Sequence, residues 1–84
     1  MFLIKTVAPN EESAKELAKK IVDAVETARV EIKQIKSVYK WKGKLNTTTE
    51  YEITVLTDKM SEIIEIIKEN SVYRELLLYS YRVF

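Results

Sequence analysis

Glu50 and Glu52 are the residues of this chain whose spacing best suits a metal ion. They stand two apart in "LNTTTEYEITVLT", a run rich in β-branched and aromatic residues, so a strand there sets both carboxylates on one face. Oxygen donors of that kind suit a hard divalent cation. Salt bridges to neighbouring lysines explain the same pattern without a metal, and that simpler reading takes precedence. Two other carboxylate groups occur, Glu11 with Glu12, and Glu62 with Glu65 and Glu69. The second has helical spacing and faces away from a stripe of isoleucines, as a solvated helix face does. The chain contains no cysteine and no histidine. Disulfides, thiol catalysis, Cys–His zinc sites and the commonest general base are therefore excluded. No Gly-rich phosphate loop is present, no catalytic residue or cofactor-binding motif stands out, and an enzyme is not expected.

A second group lies just before the carboxylates. "SVYKWKGKL", residues 37–45, holds the only tryptophan and the only glycine, and its lysines alternate with apolar and aromatic residues. Lys33, Lys36, Lys40, Lys42 and Lys44 could touch phosphates. An RNA-recognition module of the matching topology, however, needs a basic-Gly-aromatic pattern on its third strand, where rings stack on bases. "LNTTTEYEITVLT" has no such pattern and carries two glutamates. With 14 basic and 13 acidic residues, the net charge of +1 gives no global attraction to nucleic acid or anionic lipid. Neither is expected as a partner. Asn46-Thr47-Thr48 has the form of a glycosylation sequon, but it reads as a polar turn.

The elements that hold these groups follow from periodicity. Residues 1–8 are β-prone and end at Pro9 and Asn10, a stop followed by a helix N-cap. From Glu11, Ala14, Leu17, Ala18, Ile21, Val22 and Val25 recur at three- and four-residue spacing, an amphipathic helix. Over residues 29–42 the period drops to two. Val30 and Ile32 fall on one phase, while Ile35, Ser37, Tyr39 and Trp41 fall on the other, which predicts a β-bulge or sharp bend near Lys33–Gln34. Gly43 is the turn, and residues 45–57 form a third strand. Asp58 is placed to cap a second helix built on Met60, Ile63, Ile64 and Ile67, and Asn70 and Ser71 end it. Residues 75–84 form a last strand. The order β-α-β-β-α-β is an α+β class, a ferredoxin-like two-layer sandwich with an antiparallel sheet and an extended β2–β3 hairpin, in one domain over residues 1–84.

Fourteen strand residues span roughly 45 Å at about 3.3 Å each. A compact domain of this size has a radius of gyration near ~12 Å and is only about 30 Å across. The hairpin therefore bends strongly, or it projects and is covered by another chain. An exposed arm carrying Val38, Tyr39, Trp41 and Tyr51 invites aggregation unless paired. Pairing with identical neighbours in a closed ring is the favoured solution.

Ser37-x-Tyr39-x-Trp41-x-Gly43-Lys44-Leu45, followed by Glu50 and Thr57, resembles the signature of the CutA family, the divalent-ion tolerance proteins. Thr6-x-x-Pro9 and Glu11-Glu12-Ser13-Ala14-x-x-Leu17-Ala18 are similar to that family's first-strand exit and first helix. The resemblance covers residues 4–73. It implies a homotrimer built by pairing long hairpins, linked to metal tolerance, binding or signalling, with a divalent cation as an optional ligand, while the N-terminal apolar run broken by Lys5 and the lack of a stretch of ~20 apolar residues point to a cytoplasmic protein. Tyr39, Trp41, Lys42, Gly43, Glu50 and Tyr73 are then interface and cleft residues, and a small ligand at the subunit clefts is a further option. A regulatory module sensing a small ligand in those clefts is the alternative, and a basic-hairpin nucleic-acid binder the third. The departures are specific. Ala28 or Arg29 stands where the family usually has a cysteine, and Ser71, Val72 and Tyr73 where it has His-Pro-Tyr. Leu56 replaces a common lysine, and many members continue into a further helix. Soft metal ligands are thus gone, and only a carboxylate or backbone site is left.

Overall fold

The computed structural model describes residues 1–70 and 78–82, with side chains described for residues 1–70. β1 spans Phe2–Ala8 and alternates, with Ile4, Thr6 and Ala8 buried and the residues between them half-buried. Pro9 and Asn10 end it. α1, Glu11–Ala24, then begins as its spacing predicts: Asn10 Oδ1 accepts the Ser13 N–H at 2.8 Å, and Glu11 and Glu12 sit in the first turn. Acidic charge there complements the helix dipole. Removing the cap with Asn10→Ala strands one helix-end donor and is expected to cost about 1 kcal/mol. Urea unfolding should show this as a lower midpoint at unchanged slope.

β2 (Arg29–Trp41) and β3 (Lys44–Thr57) form the long hairpin. Lys42 and Gly43 join them with φ of 51° and 76°, the pair of positive values that a two-residue type I′ turn requires. α2 covers Met60–Asn70 and β4 covers Leu78–Arg82. The sheet order is β2-β3-β1-β4, with every neighbour antiparallel, and the expected ferredoxin-like sandwich is the fold. Both helices pack on one face. Ile4, Ala8, Ile53 and Val55 from the sheet meet Ala14, Leu17 and Ile21 of α1 and Ile63 and Ile67 of α2 in one core.

Two local expectations are corrected. No bulge interrupts β2: its ladder with β3 runs without a break from Arg29↔Leu56 to Trp41↔Lys44. The apolar phase switches because the two faces have different neighbours along the strand. Val30 packs against the core beneath the helices, with Ile32 next to it on the same face. Past Gln34, β2 adds nothing to that core, and its larger apolar side chains move to the opposite face. Asp58 does not cap α2 either. The helix's first backbone bond runs from the Ile63 N–H to the Lys59 carbonyl, and the Lys59 N–H is held by Thr57 Oγ1 at 2.9 Å. The Asp58 carboxylate lies 3.5 Å from the N-terminal ammonium instead. The expected last strand at 75–84 is described only over Leu78–Arg82.

The hairpin projects. The molecule measures 43 × 26 × 20 Å with a radius of gyration of 13.4 Å, above the ~12 Å of a compact chain of this length.

Candidate functional site

The face of the sheet away from the helices continues unbroken into the arm. Strand alternation places Leu3, Lys5 and Val7 of β1, Glu50, Glu52 and Leu56 of β3, and Ile35, Ser37, Tyr39 and Trp41 of β2 on it. Near the domain these side chains are half-buried, and toward the tip they become exposed. Tyr39 is 48% exposed and Trp41 65%. Two adjacent exposed rings on one face form the kind of apolar patch that marks a contact surface.

Polar contacts fix the rest of the face. Ser37 Oγ donates to Glu50 Oε1 at 2.5 Å across the hairpin. Tyr39 Oη and Thr48 Oγ1 are 3.3 Å apart. Glu52 Oε1 lies 3.7 Å from Lys5 Nζ on the neighbouring strand. At the tip the Lys42 ammonium sits 6.0 Å from the centre of the Trp41 ring, the outer limit of a cation–π contact. The arm therefore brings together Ser37, Tyr39, Trp41, Lys42 and Glu50, with Gly43 turning the chain. Tyr73 lies outside the described residues. The Ser37–Glu50 and Lys5–Glu52 contacts are not named by motif, although the first could be found. A two-residue turn at Lys42–Gly43 fixes the register, and Ser37 then falls diagonally beside Glu50.

The same contacts test the metal reading. Among the described residues, no three Asp, Glu, His or Cys side chains converge as a metal site. Glu50 and Glu52 are engaged with Ser37 and Lys5, and a hard cation wants six or more oxygen ligands. The donor set among the described residues of one subunit does not fit such an ion.

An antiparallel ferredoxin-like sheet with helices on one face and a hairpin arm extending the other defines a class of small α+β subunits. Comparison with known proteins narrows it. The model of the CutA1 divalent ion tolerance protein family matches residues 2–83, and the chain belongs to that family. The divalent-cation tolerance protein CutA of Archaeoglobus fulgidus is 34% identical over 67 residues, which is 77% of this chain and 66% of the relative. The chain thus spans just under two thirds of that relative's length. Among solved structures, the periplasmic divalent cation tolerance protein CutA from Archaeoglobus fulgidus superposes with a TM-score of 0.82 at 28% identity, covering 99% of this chain and 84% of that one. CutA1 from Pyrococcus horikoshii gives 0.86 at 25% identity, with 99% and 83% covered. No helix among the described residues is long and apolar enough to cross a membrane.

Proposed function

We propose that this chain is a non-enzymatic subunit of a homotrimer, assembled through its hairpin arm and serving divalent-cation tolerance as a binding or signalling protein. One observation carries the assembly: a 43 Å molecule whose arm adds no residue past Gln34 of β2 to the core, yet presents Tyr39 and Trp41 at its end. A closed ring of copies covers that face and satisfies the open edge of β2. Trp41 and Tyr39 are the anchors, Lys42 and Gly43 shape the tip, and Glu50, held by Ser37, is the polar partner at the boundary. On the family resemblance alone, Tyr73 is a further candidate for that cleft. The absence of His and Cys from the chain supports a binding role over a catalytic one. The tie to divalent cations rests on family membership, because the donor set among the described residues of a single subunit is short.

Light scattering tests the assembly. The expected mass is three times the 9.8 kDa of one chain, and a particle of one chain's mass rejects it. Half-buried Lys5, Glu50 and Glu52 beside the arm also support the second reading, a cleft between subunits that takes a small polar ligand. A thermal-shift panel of metabolites and anions should then contain a compound that raises the melting temperature, and a flat panel rejects the cleft. The sequence-based expectation of a cytoplasmic protein stands beside a relative named as periplasmic, and cell fractionation separates the two.

A further inference from the structure

Both faces of the arm carry exposed apolar side chains. Tyr39 and Trp41 lie on the open-sheet face, while Val38, 62% exposed, and Leu45, 69% exposed, lie on the helix-side face. The register pairs Val38 with Thr47 and Lys40 with Leu45, so Val38 and Leu45 are diagonal neighbours on that face. Lys36 and Lys40 fall on the same phase of β2 and flank them. A neighbour that covers Trp41 leaves this second face bare. The lysines are also uncompensated: among the described residues, neither Lys36 nor Lys40 makes an ion pair.

The complement of that face lies on the same molecule. Glu62, Glu65 and Glu69 recur at i, i+3 and i+7 on α2, so they form one stripe. All three are exposed, and none is ion-paired among the described residues. Beside the stripe is a shallow depression lined by Ser61, Ile64, Glu65 and Lys68, with Ile64 as its apolar wall. The stripe and the arm's lysines do not meet within one chain. α2 packs on α1 and β1, whereas β2 lies at the sheet edge beyond β3.

We propose that the helix-side face of the arm docks on α2 of a second copy of this chain, Val38 and Leu45 over Ile64, and Lys36 and Lys40 against Glu62, Glu65 and Glu69. This rests on the trimer reading and names the surface that each arm covers on its neighbour. The contact joins two different surfaces, so it repeats head to tail and closes when three copies complete the ring. A second copy fits better than a lipid or nucleic-acid surface, because the chain's net charge is only +1 and its own α2 supplies the opposite sign.

Carbodiimide cross-linking of the wild-type protein, with peptide mapping of the bands at two and three times the chain mass, reads the contact directly. Amide links from Lys36 or Lys40 to Glu62, Glu65 or Glu69 are expected. The double reversal Lys36→Glu with Lys40→Glu should raise the dissociation constant of the assembly at least about tenfold. Adding Glu62→Lys and Glu65→Lys to the same chain should restore most of that loss. If the wild type is trimeric but gives no such links, and the reversal leaves the assembly unchanged, the docking is wrong and the trimer stands. A monomeric wild type removes both.

Discussion

Ile53→Ala should cost about 2–5 kcal/mol, a large part of the roughly 5–15 kcal/mol that stabilises a domain. Ile53 is fully buried in the domain half of β3, with Thr6 of β1 and Ile32 of β2 as its register partners. It belongs to the single core that the sheet shares with both helices, so the space left by the lost carbons cannot collapse from one side alone. Ile32 provides the comparison. It shares the face and the register but is 38% exposed, and Ile32→Ala should cost only about 1 kcal/mol. Denaturant melts of both variants at several protein concentrations check this. The midpoint should fall much further for Ile53→Ala, with little change in slope. If folding is coupled to assembly, every midpoint also rises with concentration. Equal losses for the two variants would mean that the core does not lie where the buried residues place it.

Much of this was legible in the sequence because local patterns and tertiary demands agree. The 3.6-residue period of Ala14, Leu17 and Ile21, with Asn10 before it and two glutamates in the first turn, reads as an amphipathic helix and is one. The alternation of Tyr51, Ile53 and Val55 gave the core face of β3 in the same way. The misreadings occurred where a pattern has two causes. A phase switch in β2 looks the same whether the backbone bulges or the cover changes, and only the unbroken ladder separates the two. Asp58 is a good cap by type, but the backbone leaves β3 one residue too late to use it. For the site, the spacing of Ser37, Tyr39, Trp41 and Gly43 located the arm. The partner of each polar group is a matter of register, which periodicity does not carry. Lys5 beside Glu52 depends on β1 lying next to β3 and on nothing near either residue in sequence.

In the proposed homotrimer, Trp41→Ala should dissolve the assembly while leaving the subunit folded. Within one chain Trp41 is 65% exposed, and the Lys42 ammonium at the turn lies 6.0 Å from the centre of its ring. Its removal therefore takes little from the subunit's own stability, on the order of a few tenths of a kcal/mol, as for other exposed positions. A buried aromatic anchor at an interface is different, because truncation there typically costs 2 kcal/mol or more. At about 1.4 kcal/mol per tenfold, each contact in the ring weakens by more than roughly 25-fold, and a trimer loses this at every contact. Light scattering over a dilution series should show mass falling toward 9.8 kDa at concentrations where the wild type stays assembled, with an unchanged far-ultraviolet spectrum. Trp41→Phe, which keeps an apolar ring of smaller area, should fall between the two. The chain's only tryptophan also reports its own surroundings. Its emission should shift to longer wavelength when the wild type is diluted into monomers, along the same curve as the mass. A variant that stays trimeric would assign Trp41 to covering its own hairpin. The anchoring role would then pass to Tyr39 or to the open edge of β2.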